Sequence, residues 1–218
     1  MLQFYYNPIS ANARRVWIAL LEKQIPFEPV LVKLDGDHLT EAFSAINPLQ
    51  RVPAIMDNGF RVVESLAILD YLESQYPLPA LMPMDPQQIA TVRMVEMTAV
   101  NELQPATLPL TKVLVGLDEK PQTVETARQR VTLVLQFYEN LLGDGDYFAG
   151  ANLTLADIVA GTLVPSVAMF GFSLGEYPRL AAWNERLAQR PSWQETAPQP
   201  AAIDEALPNI KQVLERRF

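Results

Sequence analysis

Residues 52–65 read Val52-Pro53-Ala54-Ile55-Met56-Asp57-Asn58-Gly59-Phe60-Arg61-Val62-Val63-Glu64-Ser65. Two short apolar runs flank Asp57-Asn58-Gly59. Asn-Gly tolerates the positive φ angles of a tight two-residue turn, so the stretch predicts a β-hairpin with strands at 54–56 and 61–63. Pro53 stands at the mouth of the first strand. Ser65 is a favoured helix N-cap, and a helix N-terminus offers free N–H groups to a carboxylate. Strand-edge backbone beside Pro53 and anion-binding groups at Ser65 would share one rim of a sheet, which suits capture of a small extended peptide. A plain hairpin leading into a structural helix is the competing reading at this point.

Upstream, Leu2–Tyr6 is β-rich and aromatic and is stopped by Asn7-Pro8. Ala13, Val16, Trp17, Leu20 and Leu21 then recur at helical spacing, with Arg14, Arg15, Glu22 and Lys23 assigned to the opposite face. Pro26 ends that helix, and 27–32 reads as a second strand. Joins this short make a βαβ unit with parallel strands. A loop, a short helix near 39–45 and Asn47-Pro48 lead into the hairpin. Beyond it, Leu66, Ile68, Leu69 and Leu72 mark the buried side of another helix. The order β-α-β-α-β-β-α, with proline before the third strand, is a thioredoxin-like α/β pattern.

Tyr76-Pro77-Leu78-Pro79, followed by Pro83 and Pro86, is the sharpest composition break. Prolines fix φ and remove donors, so the segment predicts an extended linker. The expected organisation is a thioredoxin-like domain at 1–77, a linker at 78–87 and an all-α domain at 88–218. Within the latter, 87–117 reads as a long helix bent near Pro105 and Pro109, and 123–142 as a second, ended by Gly143-Asp144-Gly145. Leu153-Thr154-Leu155-Ala156-Asp157-Ile158 carries a capping box, Thr154 with Asp157, and a staple, Leu153 with Ile158. Segments 177–189 and 201–216 are further helices.

Composition narrows the chemistry. With 218 residues, 49% hydrophobic and 19% charged, the chain has material for a substantial core. A net charge of −8 without any basic block argues against nucleic acid and anionic membrane as partners. Cysteine is absent, which excludes disulfides, thiolate metal sites and cysteine nucleophiles; the single histidine, His38, cannot build a histidine metal site. The N-terminus lacks a secretory pattern. The most apolar stretch, 158–172, is interrupted and shorter than the roughly 20 residues of a membrane span, so it reads as a buried core helix. A soluble, cytoplasmic protein without a bound metal is expected.

Several motifs agree with one family. Asn7-Pro8-Ile9-Ser10-Ala11-Asn12-Ala13-Arg14-Arg15-Val16, Asn47-Pro48-Leu49-Gln50-Arg51-Val52-Pro53 and Val63-Glu64-Ser65-Leu66-Ala67-Ile68 stand in the first half. Leu153-Thr154-Leu155-Ala156-Asp157, and Tyr177-Pro178 followed by Ala182-Trp183 and Arg190-Pro191, stand in the second. In this order and spacing, the whole chain resembles a cytosolic glutathione S-transferase of a serine-type or bacterial-like class.

The resemblance implies glutathione as co-substrate, with no further cofactor. Val52 would pair its backbone with the cysteinyl unit beside a cis bond to Pro53. Glu64 and Ser65 would hold the γ-glutamyl end, and His38 and Arg51 the glycine carboxylate; the lysine that often follows this histidine in plant-like classes is Leu39 here. A free thiol, with pKa about 8.5, is mostly protonated at neutral pH, so a donor to the thiolate is needed. Ser10, before the first helix, matches the serine of the serine-type classes, and Asn12 the assisting amide of a bacterial subgroup. Tyr5 or Tyr6, Arg14 or Arg15, and a purely capping Ser10 are the alternatives. Ile9 of the first domain and Met94, Met97, Asn101 and Gln104 of the long helix would line the pocket for a hydrophobic electrophile. Conjugation in a homodimer is the implied activity; a glutathione peroxidase or disulfide reductase, or a non-catalytic binder, are the competing functions.

Overall fold

The structure, a computed structural model, describes residues 1–217, so the last position of the expected helical domain, residue 218, lies outside them. The chain forms two compact units. One comprises residues 1–81 with 191–203; the other comprises 82–190 with the stretch from residue 204.

The first unit is a thioredoxin-like sheet-and-helix domain. Its strands are β1 (Leu2–Tyr6), β2 (Phe27–Leu31), β3 (Ala54–Asp57) and β4 (Phe60–Val63), in the order β2-β1-β3-β4. β1 and β2 are parallel, with Tyr6 opposite Leu31, as a βαβ crossover requires. β3 runs antiparallel to β1, with Tyr5 opposite Ala54, and β4 antiparallel to β3, with Ala54 opposite Val63. At the hairpin tip Asn58 has φ 49° and Gly59 φ 84°, the pair of positive angles that a primed turn needs. Leu2, Phe4 and Ile55 are buried on the sheet, and the Phe4 ring lies 5.2 Å from Tyr6 and 5.8 Å from Phe27.

Three helices of this unit matter for the site: α1 (Ala11–Glu22), α2 (Glu41–Ile46) and α3 (Ser65–Gln75). α1 buries Ala13, Val16 and Leu20 as its periodicity predicts, but also Arg15, Ile18 and Ala19, and Lys23 just past its end. The supposed solvent face of Arg15 and Lys23 is thus covered. α3 packs along α1, and so does α9 (Pro191–Glu195), a helix not anticipated from the sequence. α9 is held by Arg14, whose Nε donates to Thr196 Oγ1 and whose Nη2 donates to the Trp193 carbonyl, both at 3.3 Å. Ser192 donates to Glu22 from the same helix. Lys23 Nζ reaches Glu73 at 2.7 Å and the Pro79 carbonyl at 2.8 Å, which anchors the proline-rich segment.

The second unit is helical: α4 (Pro86–Thr98), α5 (Gln104–Leu114), α6 (Pro121–Leu142), α7 (Leu155–Gly161) and α8 (Pro178–Ala188), with most of α10 (Pro200–Arg217). The long helix expected over 87–117 is interrupted by a π turn at Ala99–Leu103. Pro105 has no N–H to offer the carbonyl four residues earlier, at Asn101, and the wider turn sits where that bond is lost. The apolar run at 158–172 is not one helix. α7 stops at Gly161, and a 3₁₀ stretch at Val164–Phe170 follows with proline in its first turn. At the start of α7 the capping box is present, with Asp157 accepting the Thr154 N–H at 2.8 Å. Leu153 and Ile158, the staple pair, are both buried. α8 has no side-chain cap of its own; Glu139 of α6 accepts the Arg179 and Leu180 N–H groups at 3.1 and 2.9 Å instead. Among the described residues no helix is long and apolar enough to cross a membrane.

Candidate functional site at one end of the sheet

Strand direction gathers the candidate residues. Because β2 parallels β1 while β3 and β4 alternate, the C-terminal ends of β1, β2 and β4 and the start of β3 lie at one end of the sheet. The segments that leave or enter there carry Ile9 and Ser10, His38, Val52 and Pro53, and Glu64 and Ser65. Two bonds tie the β1 and β2 exits together: the Val32 N–H to the Tyr6 carbonyl at 2.8 Å and Asn7 Nδ2 to the Val32 carbonyl at 2.9 Å. Asn47, buried, fixes the approach to Pro53 by donating to the Arg51 carbonyl at 2.6 Å.

At the α1 end, Ser10 is the N-cap, with φ −80° and ψ 113°, and its Oγ accepts the Ala13 N–H at 3.3 Å. A hydroxyl that accepts in this way keeps its own proton for another partner. Asn12 lies in the first turn, half-buried, and its side chain makes no hydrogen bond among the described residues. Tyr6 turns to the core side, its ring 5.0 Å from Trp17, whereas Tyr5 faces the other way and donates to Gln3 at 3.2 Å.

At the hairpin end, the Val52–Pro53 bond is cis, and both residues are buried. The expected capping pattern needs correction. Ser65 is not the N-cap but the first residue of α3; Glu64 holds the cap position at φ 69°, and its side chain caps nothing. A left-handed non-glycine residue costs of order 1–3 kcal/mol, so the surrounding chain enforces this turn. The first-turn N–H groups of α3 are therefore left without a side-chain cap, unlike those of α1, α2 and α4, which Ser10, Thr40 and Asp85 cap. Ser65 is buried and its Oγ accepts from Arg15 Nη1 at 3.4 Å. Glu64 and Arg51 are exposed. His38 sits on a single 3₁₀ turn, Asp37–Leu39, with Nδ1 3.4 Å from the Lys33 carbonyl. Among the described residues no hydrogen bond joins the side chains of Ser10, Asn12, His38, Arg51, Glu64 and Ser65 to one another.

In the helical unit Met94 and Met97 are each 44% exposed, so neither is a core residue. Asn101 Nδ2 lies 3.8 Å from Met97 Sδ. The π turn falls between Met97 and Gln104, so the α-helical spacing that placed them on one stripe does not hold across it. Asn101, without Met97 or Gln104, lines a groove of about 410 Å³ beside Pro105, Pro109 and Arg130. A larger groove of about 650 Å³ lies between α6 and the 171–177 segment, where Arg128 stacks 4.6 Å over Phe172.

Comparison with known proteins fits this arrangement. Residues 4–80 match the family model of the glutathione S-transferase N-terminal domain, and residues 71–191 match that of the C-terminal domain. The chain belongs to the glutathione S-transferase family. Maleylacetoacetate isomerase of Mus musculus is 34% identical over 183 residues, 82% of this chain and 83% of that protein. Glutathione S-transferase theta-1 of Mus musculus is 34% identical over 197 residues, 86% and 82%. Among solved structures, apo human glutathione-S-transferase T1-1 superimposes with a TM-score of 0.82 at 27% identity, covering 98% of this chain and all of that one.

In this glutathione S-transferase chain, one feature of the sheet end has no local signature in the sequence: the buried Arg15 bonded to Ser65. A charged residue beside Arg14 on a helix reads as solvated, and the packing of α3 on α1 reverses that. Burial also holds the Arg14 guanidinium below its ordinary range. Among the described residues no group of three His, Cys, Asp or Glu side chains could hold a metal ion.

Proposed function

We propose that this protein conjugates reduced glutathione to small hydrophobic electrophiles. The observation that carries the reading is the side-chain-uncapped start of α3 at Ser65, at the same end of the sheet as the entry to β3 beside Val52. An extended peptide laid beside Val52 can exchange main-chain hydrogen bonds there, and its γ-glutamyl carboxylate can take the first-turn N–H groups and Ser65. Glu64 then accepts from the γ-glutamyl ammonium, and His38 and Arg51 serve the glycine carboxylate. Ser10, polarised by the Ala13 N–H, donates its proton toward the sulfur, with the Asn12 amide assisting and the α1 N-terminus adding positive potential. Both effects favour the thiolate, which attacks the electrophile and displaces its leaving group or adds across its activated bond. Met97, Asn101 and Gln104 of the helical unit are assigned to electrophile binding. Detoxification as a cytoplasmic homodimer is the corresponding cellular role.

Similarity to maleylacetoacetate isomerase favours a second reading of the same site. A thiolate that adds reversibly to a conjugated double bond, allows rotation and is expelled again isomerises the acceptor and regenerates glutathione. Calorimetric titration with glutathione, followed by turnover assays with an aromatic halide, an isothiocyanate, a hydroperoxide, a mixed disulfide and a cis-unsaturated diketo acid, separates these outcomes. Turnover of the halide or isothiocyanate is expected. Turnover of the hydroperoxide or disulfide alone would make the protein a peroxidase or reductase, and binding without any turnover would make it a non-catalytic member.

A further inference from the structure

Arg15 is fully buried, and its Nη1 donates to Ser65 Oγ across fifty residues of sequence. We propose that Arg15 is a positioning residue that biases the Ser65 hydroxyl toward donating, and so makes the site favour a γ-glutamyl carboxylate over its neutral amide. The inference rests on the glutathione reading above. A guanidinium carries donors only and stays protonated throughout the accessible pH range. The Ser65 proton therefore cannot point back at Arg15, and the bond runs one way, from Arg15 to Ser65. Ser65 is itself 8% exposed, and among the described residues its hydroxyl donates to no acceptor. The first turn of α3 adds N–H donors that no side chain caps. The Ser65 hydroxyl and the α3 N–H groups then both offer protons, a pattern that matches the two oxygens of a carboxylate and meets the NH₂ of an amide with opposed donors. Serine alone would favour this less, since a free hydroxyl can also turn its proton to the direction Arg15 occupies and accept from the ligand.

The test compares glutathione with its analogue carrying a carboxamide in place of the γ-glutamyl α-carboxylate, by calorimetry and steady-state kinetics. The unmodified protein is expected to bind glutathione at least about tenfold more tightly than the amide. Arg15→Gln and Arg15→Met should weaken glutathione binding about tenfold and leave the amide within about twofold, with kcat falling far less than kcat/KM for glutathione. Arg15→Lys, which keeps a donor and a charge, should retain part of the selectivity. Ser65→Ala should lose it as fully as Arg15→Met, and adding Arg15→Met to Ser65→Ala should change nothing further. A purely structural role would weaken both ligands alike. Equal weakening of both, retained selectivity in folded Arg15→Gln or Arg15→Met, or retained selectivity in Ser65→Ala would each overturn the assignment. Should the Arg15 variants not fold, Ser65→Ala still decides it. Absence of glutathione binding by the unmodified protein would overturn the proposed function itself, a result distinct from any of these.

Discussion

Ser10 Oγ accepts the Ala13 N–H at 3.3 Å, so the residue assigned to the sulfur also closes the first turn of α1. The two roles have different magnitudes. Losing an N-cap costs about 1 kcal/mol of stability, whereas losing a donor to a developing charge costs about one to two orders of magnitude in rate. Ser10→Ala should therefore unfold slightly earlier and lose about ten- to a hundredfold in kcat/KM. Ser10→Asp caps as well as serine, so it should restore the stability but not the rate, because a carboxylate repels the thiolate. An unchanged pH–rate profile in Ser10→Ala would shift the assignment to Asn12.

Lys23 and Glu73 form an ion pair 2.7 Å apart, with the Lys23 side chain 1% exposed. Glu73 also accepts the Leu81 N–H, so the pair joins the end of α1 to α3 and to the chain leaving the domain. Removing one member of a buried pair leaves a charge facing its empty place and costs about 3–5 kcal/mol. Lys23→Met should lower the urea midpoint by that equivalent, and adding Glu73→Leu should recover part of it. A cost below about 1 kcal/mol for Lys23→Met would mean that solvent reaches the pair.

What could be read from the sequence was local. Asn58-Gly59 demands positive φ angles wherever it occurs, and Thr154 with Asp157 satisfies its own helix end, so the hairpin and the capping box needed no knowledge of the rest of the chain. The same locality misled at Ser65. A serine before an apolar helix reads as a cap, but Glu64 takes the cap position at φ 69°, and no sequence rule selects glutamate for that angle. Arg15 and Lys23 read as a solvent face because the groups that meet them, Ser65 and Glu73 of α3 and the Pro79 carbonyl, come from 50 residues and more downstream. The π turn at Ala99–Leu103 was half legible: Pro105 and Pro109 announce a defect, but the carbonyl that loses its donor lies a turn earlier.

Asp57 gathers the phenols of Tyr71 and Tyr76 on one oxygen, at 2.9 and 2.8 Å. Burial, then the bond to Asp57 and its charge, raise both phenols, and Tyr76 is pushed up to about 12. A raised phenol is protonated in the folded chain at a pH where it has already ionised in the unfolded chain. Its contribution is complete below about pH 10, the unfolded value, and is lost as pH rises toward about 12. The melting temperature should fall across that window. Tyr76→Phe should flatten the fall while lowering stability near neutral pH, and an identical alkaline slope in the variant would show that Tyr76 does not set it.

Asp157 carries the densest polar cluster of the helical unit. Its carboxylate accepts from the Phe148 N–H at 3.0 Å, Trp183 Nε1 at 2.9 Å, and the Thr154 N–H and hydroxyl, both at 2.8 Å. Burial pushes the carboxyl above its usual range, and these four donors pull against that. Asp157→Asn removes the charge that is costly to bury, a partial gain. It also turns an NH₂ toward one pair of these groups; on the Thr154 side the hydroxyl can rotate to accept from it, which leaves the Thr154 N–H without an acceptor at about 1–3 kcal/mol. The loss outweighs the gain, and a net destabilisation of about 1–2 kcal/mol is expected, with Asp157→Ala worse because it also opens a void against Phe148 and Trp183. Chemical denaturation followed by tryptophan fluorescence, to which Trp17, Trp183 and Trp193 contribute, reads both effects. Equal stability of Asp157→Asn and the unmodified protein would mean that the carboxylate's charge costs as much as its four bonds return.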